Sequence, residues 1–248
     1  MRVIEFGDRD AGLDAVVVID HELFPVAAGG TRMLPDVDRH EIARLARAMT
    51  WKWLSAACRT RAPRPASASP AATGRQAAYQ RALEPHRGIF LTGPDMGTVP
   101  ADFLDGTEDP VPLWARSHEG LGMDDLATGH GVKAAAEAAL AQLGRGLVGA
   151  TVALEGFGKV GAGTARACAR AGARIVGVST VGGLLADQEG LDVEELLALR
   201  ALHGDWFVEH GPREVRPREA LFELECDVLV PGARPDSITS TVADQGPA

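Results

Sequence analysis

The chain has 248 residues, 46% hydrophobic and 5% aromatic, with a formal net charge of −9. That length holds one large domain or two modest ones with a real core, and an acidic balance without a basic cluster argues against nucleic acid as the main partner. The cysteines Cys58, Cys168 and Cys226 are odd in number and widely spaced, which excludes a disulfide framework or a paired-cysteine zinc site and fits a reducing cytosol.

No apolar run reaches the roughly 18 residues of a membrane helix. The opening Met1-Arg2-Val3-Ile4-Glu5-Phe6 is too short and too soon charged for a signal peptide. A cytoplasmic protein without a membrane partner is the expectation.

Asp14 to Asp20 predicts a strand, because β-branched residues run between polar ends. Ala28-Gly29-Gly30-Thr31 follows. Adjacent glycines beside apolar residues read equally as a bulge or turn and as a backbone that something approaches closely. Asp38 to Ala57 predicts a helix capped by Asp38, with Ile42, Leu45, Ala46, Met49 and Trp53 at helical spacing. Lys52, beside that stripe, reads as a snorkelling surface residue or as a cation aimed at a carboxylate.

From Cys58 to Pro70 periodicity fails, and the composition is that of a basic disordered loop. Arg75 to Leu83 predicts a helix, and Gly88 to Thr92 a short buried strand. That strand delivers Gly93-Pro94-Asp95-Met96-Gly97-Thr98 at its C-terminal end, where α/β proteins place their chemistry. Asp95 there is either a turn cap or an acid/base carboxylate. Residues 99 to 124 read as a surface excursion, and Thr128-Gly129-His130 opens a helix running to about Leu143. His130 has no visible partner and is not assigned a catalytic role.

Ala150 to Leu154 then predicts a strand, Gly156-Phe157-Gly158-Lys159-Val160-Gly161 a glycine turn, Ala162 to Ala171 a helix and Ala173 to Val178 a second strand. In this βαβ context G-x-G-x-x-G points to a dinucleotide. Gly156 suits the tight turn, Gly158 a close approach to pyrophosphate and Gly161 close helix packing. Ser179 and Thr180 end the second strand, where an acidic residue would select NAD over NADP. Leu191 to Ala201 is a further helix capped by Asp192, Cys226 to Pro231 a third apolar strand, and Asp236-Ser237-Ile238-Thr239 begins a new element.

Taken in order, Ala28-Gly29-Gly30-Thr31-Arg32-Met33, Met49-Thr50-Trp51-Lys52, Thr92-Gly93-Pro94-Asp95-Met96-Gly97-Thr98, Ala127-Thr128-Gly129-His130, the glycine turn and Cys226-Asp227-Val228-Leu229-Val230-Pro231 resemble the glutamate/leucine/phenylalanine/valine dehydrogenase family. The resemblance implies an α/β fold: a substrate (dimerisation-type) α/β domain at residues 1–124, then a Rossmann-like NAD(P)-binding domain at 125–248, with a cleft between them. It implies oxidative deamination of an L-amino acid to a 2-oxo acid and ammonia, by a homo-oligomer. Lys52 matches the lysine that holds the substrate carboxylate, Gly29 and Gly30 the pair that approaches the substrate, and Asp95 the carboxylate that moves protons on the amino group. Gly156, Phe157, Gly158, Lys159, Val160 and Gly161, with Thr128, Ser179 and Thr180, fall to the cofactor. NAD is the family default, and dual use of NADP is open because neither Ser179 nor Thr180 carries a charge to repel a 2′-phosphate. Ala28 stands where a lysine would pair with a glutamate side chain, which implies a branched-chain or aromatic substrate instead.

Two departures set further expectations. The family's second lysine, the general base that activates water, has no counterpart. It should fall within Cys58–Pro70, where a shifted reading frame can encode Gly-Ala-Lys-Ala-Gly-Ile with the lysine at about Arg64. A local frameshift is therefore expected, and so is a C-terminal truncation of the nucleotide domain. Together they imply little or no deaminating activity. The alternative is a catalytically dead remnant or dinucleotide-binding module of the same family. A different class is an interaction protein that uses Arg59–Pro70 as a basic ligand.

Overall fold

The computed structural model describes residues 1–21, 26–34, 37–55, 75–86, 88–103, 116–233 and 236–245. The Cys58–Pro70 stretch and its expected frameshift lie outside the described residues. The chain divides into two compact units, Met1–Pro110 and Val111–Ala248.

In the first unit, β1 (Arg2–Asp8) and β2 (Leu13–Ile19) form an antiparallel hairpin. β3 (Ala27–Thr31) pairs in parallel with β4 (Phe90–Pro94), Gly29 opposite Thr92 and Gly30 opposite Gly93. The two glycines therefore make neither bulge nor turn; they run straight within a strand. β4 starts two positions later than its apolar run predicts, so Gly93 and Pro94 are paired and Asp95 stands just off the strand end.

α1 (Arg39–Ser55) begins where the Asp38 carboxylate accepts the Glu41 N–H at 2.7 Å, a cap that satisfies one orphan donor of the first turn. Its inward face carries Ile42, Ala46 and Thr50, all buried. Ile42 and Ala46 pack with Val18 of β2. Asp20, 3% exposed, takes a bond from Arg47 Nε at 2.9 Å and another from the Thr50 hydroxyl at 2.9 Å. Burial pushes the Asp20 carboxyl up, but the bonds from Arg47 and Thr50 and the Arg47 charge together hold it below its ordinary value. α2 (Arg75–Leu83) sends Ala78, Tyr79 and Leu83 into a core shared with Leu13, Val17, Ala27 and Phe90.

The second unit is a four-stranded sheet ordered β10-β7-β8-β9. β7 (Thr151–Glu155), β8 (Arg174–Thr180) and β10 (Val228–Pro231) are parallel, and β9 (Gly183–Ala186) is an antiparallel edge strand. α3 (Met123–Gln142), α4 (Lys159–Arg170) and α5 (Val193–His203) follow their sequence signals with shifted starts. α3 does not open at Thr128. It begins at Met123, with Asp124 and Asp125 in the first turn where carboxylates suit the dipole. A short hairpin, β5 (Ser117–His118) with β6 (Leu121–Gly122), leads into it. Leu121 is buried in this unit's core, so the stretch expected to be a surface excursion is in part structural.

Gly129 then falls inside α3 for a packing reason. A Cβ there would lie 2.1 Å from the Gly163 carbonyl carbon in α4, so the two helices cross with their backbones in contact. Asp192 caps α5 through the N–H groups of Glu194 and Glu195, at 2.9 and 3.2 Å. Asp227 pins the start of β10 to β7 by accepting from the Thr151 N–H and hydroxyl at 2.8 and 3.0 Å. α6 (Ser240–Gln245) closes the described chain. No helix among the described residues is long and apolar enough to cross a membrane.

Candidate functional site

The glycine turn of the second unit is built by its neighbours. Gly156 adopts φ +90, a left-handed conformation open to glycine at no steric cost. Its N–H donates to the Ser179 carbonyl at 2.8 Å, and the Gly232 N–H donates to the Glu155 carbonyl at 3.1 Å. The ends of β8 and β10 therefore flank the turn on either side. A Cβ on Gly161 would lie 2.0 Å from the Gly156 carbonyl oxygen, so only glycine lets the first turn of α4 close against the loop. Gly158 is different: a Cβ there would meet nothing within 4 Å.

Gly158 is also the N-cap of α4 and no side chain caps the helix. The first N–H groups and the positive dipole end thus face the open side of Gly158. Lys159 stands in the same turn. Its Nζ lies 3.7 Å from Asp124 Oδ2 and is buried with no hydrogen-bond partner among the described residues. Glycine conformations and an uncapped helix start form a cradle that fits the pyrophosphate of a dinucleotide, with the Lys159 ammonium held close by beside Asp124.

Phe157, Val160, Ser179, Thr180 and Thr128 are the other second-unit residues with expected roles. Phe157 is not exposed to a ligand; it is buried and packs on Phe207, ring centroids 5.2 Å apart. Val160 lies in the first turn of α4, and its carbonyl accepts from the Thr164 hydroxyl at 2.7 Å. Ser179 is buried at the end of β8, and the Thr180 hydroxyl accepts from the Gly182 N–H at 3.1 Å. Thr128 is exposed in the interior of α3, its hydroxyl donating to the Asp124 carbonyl at 2.7 Å. His130 is exposed on the same helix.

In the first unit, Gly30 and Asp95 are brought together. A Cβ on Gly30 would lie 2.6 Å from the Asp95 Cβ, so glycine at this point of β3 makes room for the Asp95 turn. That turn is tied by Thr98: the Asp95 N–H donates to its hydroxyl at 2.8 Å, and the hydroxyl lies 2.9 Å from the Thr31 carbonyl. Gly97, at φ +78, lets the turn run against the Met33 backbone. Ala28 and Gly29 are half-buried in β3, and Lys52 is exposed in the last turn of α1.

One residue of this site carried no role in the sequence reading. Arg32, 6% exposed, bonds Asp95 Oδ2 through Nε at 3.2 Å and Glu41 through Nη1 at 2.5 Å. It fixes the Asp95 carboxylate from one side. A long cation directly after a buried strand was the available signal, but its partners lie 9 and 63 residues away. Beneath it, the buried Tyr79 phenol accepts from the Thr31 hydroxyl at 3.2 Å, and Thr31 and Thr92 hydroxyls stand 2.5 Å apart. Burial pushes the Tyr79 phenol well above its ordinary value, against the pull of both threonines.

A separate pocket of about 640 Å³ in the second unit includes Asp125, Arg166, Glu194 and Arg200, and none of the glycine-turn residues lines it. Burial first, and then the Asp124 charge, raise the Asp125 carboxyl. Among the described residues no cluster could hold a metal ion.

The family model described as glutamate/leucine/phenylalanine/valine dehydrogenase matches residues 120–246, essentially the second unit. A glutamate dehydrogenase of Aeropyrum pernix is 37% identical over 126 residues, which is 51% of this chain and 30% of that protein. An NAD-specific glutamate dehydrogenase of Staphylococcus aureus (strain COL) is 39% identical over 115 residues, 46% of this chain and 27% of that protein. The crystal structure of the hetero-hexameric glutamate dehydrogenase from Thermus thermophilus, in its Leu-bound form, superposes on 100% of this chain and 65% of its own, with a TM-score of 0.82 at 27% identity. The matched stretches thus span less than a third of the two curated relatives.

Proposed function

Because the chain belongs to the glutamate/leucine/phenylalanine/valine dehydrogenase family, we propose that it serves NAD(P)-dependent oxidative deamination, its second unit holding the dinucleotide and its first the amino acid. The observation that carries this reading is the cradle at Gly158: an open glycine at an uncapped helix start, in a turn that Gly156 and Gly161 shape. Gly158 and the first N–H groups of α4, with Lys159 beside them, hold the pyrophosphate, Gly156 and Gly161 let the turn form and pack, and Thr128, Ser179 and Thr180 are assigned to the remainder of the cofactor. NAD is the proposed cofactor, in keeping with the NAD-specific relative, and the uncharged Ser179 and Thr180 also admit NADP. When bound, the nicotinamide would supply the hydride acceptor for the substrate Cα.

The chain's own residues orient the substrate and move protons. Lys52 supplies a cation for the α-carboxylate, which fixes the direction of Cα–H. The backbone at Gly29 and Gly30 lies along the substrate. Asp95 takes and returns protons on the amino group, and Arg32 holds one of its oxygens still. A water consumed in the reaction becomes the oxo oxygen as ammonia leaves.

A neutral, branched-chain or aromatic substrate is proposed from Ala28, whose methyl offers no charge to a side-chain carboxylate that would otherwise be buried unpaired. Glutamate is the competing substrate, on the names of both curated relatives. A homo-oligomer in the cytoplasm completes the proposal; the hetero-hexameric neighbour supports assembly into an oligomer.

A second reading, cofactor binding without turnover, has its own support: Lys52, Lys133 and Lys159 are the chain's lysines, so the first unit contains no second lysine to activate water. NADH binding by calorimetry and NADH formation from L-leucine, L-phenylalanine and L-glutamate separate the readings. Binding with turnover of leucine or phenylalanine supports the neutral-substrate enzyme, and turnover of glutamate alone moves the assignment to glutamate. Binding without turnover supports the second reading. No NADH binding by the folded chain defeats both.

A further inference from the structure

Resting on the cofactor reading above, we propose that Trp206 is the platform on which the adenine ring of the dinucleotide stacks. A dinucleotide whose pyrophosphate sits at the start of α4 sends its adenosine half over the end of the second βαβ strand, where the ribose lies. Here that end is Ser179–Thr180, tied to the glycine turn by the bond from the Gly156 N–H to the Ser179 carbonyl. The base beyond the ribose needs an apolar surface next to the β8–β9 turn.

The 3-10 segment Gly204–His210 supplies one. It is anchored at two points. Phe207, fully buried, packs on Phe157 of the glycine turn at 5.2 Å between ring centroids. Val208 and Trp206 close over the β8–β9 turn: a Cβ on Gly182 would lie 2.8 Å from Val208 Cγ2 and 3.2 Å from Trp206 Cε3. Glycine at 182 is what lets the segment come this close.

Phe207 and Val208 therefore account for the anchoring. Trp206, between them and the helix end, keeps 54% of its surface exposed, and Val181 in the same turn is 59% exposed. A large aromatic held by rigid neighbours and left open beside a nucleotide site is suited to stacking a base, which needs a π-face and little conformational adjustment.

The test uses the whole chain, with Trp206→Ala and Trp206→Phe, titrated calorimetrically with NADH and with reduced nicotinamide mononucleotide, which lacks the adenosine. The expected result is NADH affinity lower by roughly five- to thirtyfold in the alanine variant, mostly restored by phenylalanine, with mononucleotide affinity unchanged and the same melting temperature. NADH affinity within twofold of the parent overturns the proposal and leaves the cofactor reading standing. If that result comes with a changed mass in light scattering, the indole belongs to a subunit contact. Equal losses for both ligands also overturn it, because the effect is then a general distortion. No NADH binding by the unaltered folded chain removes the cofactor reading and the stacking with it.

Discussion

Arg32 shows how a single buried cation organises the first unit's site. Its guanidinium is shared between Glu41 on α1 and Asp95 beyond β4, so it couples the helix to the proposed proton-moving carboxylate. Replacing it with methionine keeps the volume and removes the charge, leaving Glu41 and Asp95 facing each other. Because both carboxylates keep some solvent, the expected loss is about 2–3 kcal/mol, below that for a fully buried pair, and urea denaturation followed by circular dichroism measures it. Asp20 gives a pH prediction. Its folded carboxyl titrates below the unfolded value near 3.8, so the unfolded chain takes up the proton first as pH falls. The Asp20 contribution is full above that value and is lost as pH drops through the lower folded one. Asp20→Asn should flatten this acid limb in a stability profile below about pH 4. An unchanged limb would show that other carboxylates control it.

At the scale of elements, glycines mark where backbones touch and where they do not. Gly129 and Gly163 set the crossing of α3 and α4, and Gly129→Ala would place a methyl against the Gly163 backbone. We expect a cost of at least about 1–3 kcal/mol, the range for overpacking. Gly131, two residues on, is the control: it is exposed and a Cβ there meets nothing. Gly131→Ala should stabilise the helix by up to about 1 kcal/mol, and thermal melts of the two variants should move in opposite directions. Gly158→Ala and Gly161→Ala make a second pair. The former should fold normally and weaken NADH binding, whereas the latter collides with the Gly156 carbonyl and should lower the melting temperature itself.

For the molecule as a whole, two compact units with separate cores imply that a ligand of one unit is read most strongly in that unit. At a free NADH concentration about 100 times its dissociation constant, linkage adds about 2.7 kcal/mol to the state that binds it. Amide exchange in NADH should slow most at 156–164 and 179–183. Strongest protection in the β1–β2 hairpin would contradict the placement of the cofactor in the second unit. Cys168 adds nothing to this chemistry: it is buried and its thiol is pushed up to about 11 by burial, as befits a core residue.

The βαβ unit with its glycine turn was legible in the residue order, as were α2 and the caps of α1 and α5. These features are local: a period of two or 3.6, a carboxylate before a helix, a glycine wherever a positive φ or a close approach is required within a few residues. The start of α3 and the extent of β4 were displaced by a few positions, because helix and strand ends are decided by what they pack on rather than by periodicity. Arg32 with Asp95, Gly129 with Gly163, and Phe157 with Phe207 were not legible. Each joins residues separated by tens of positions, and no repeat along the chain records which distant backbone or side chain will arrive. Residue order alone shows which segments become the glycine turn and most of the strands and helices. Which carboxylate Arg32 steadies and which aromatic stands open beside the turn come from the packing of elements, not from the order of residues within them.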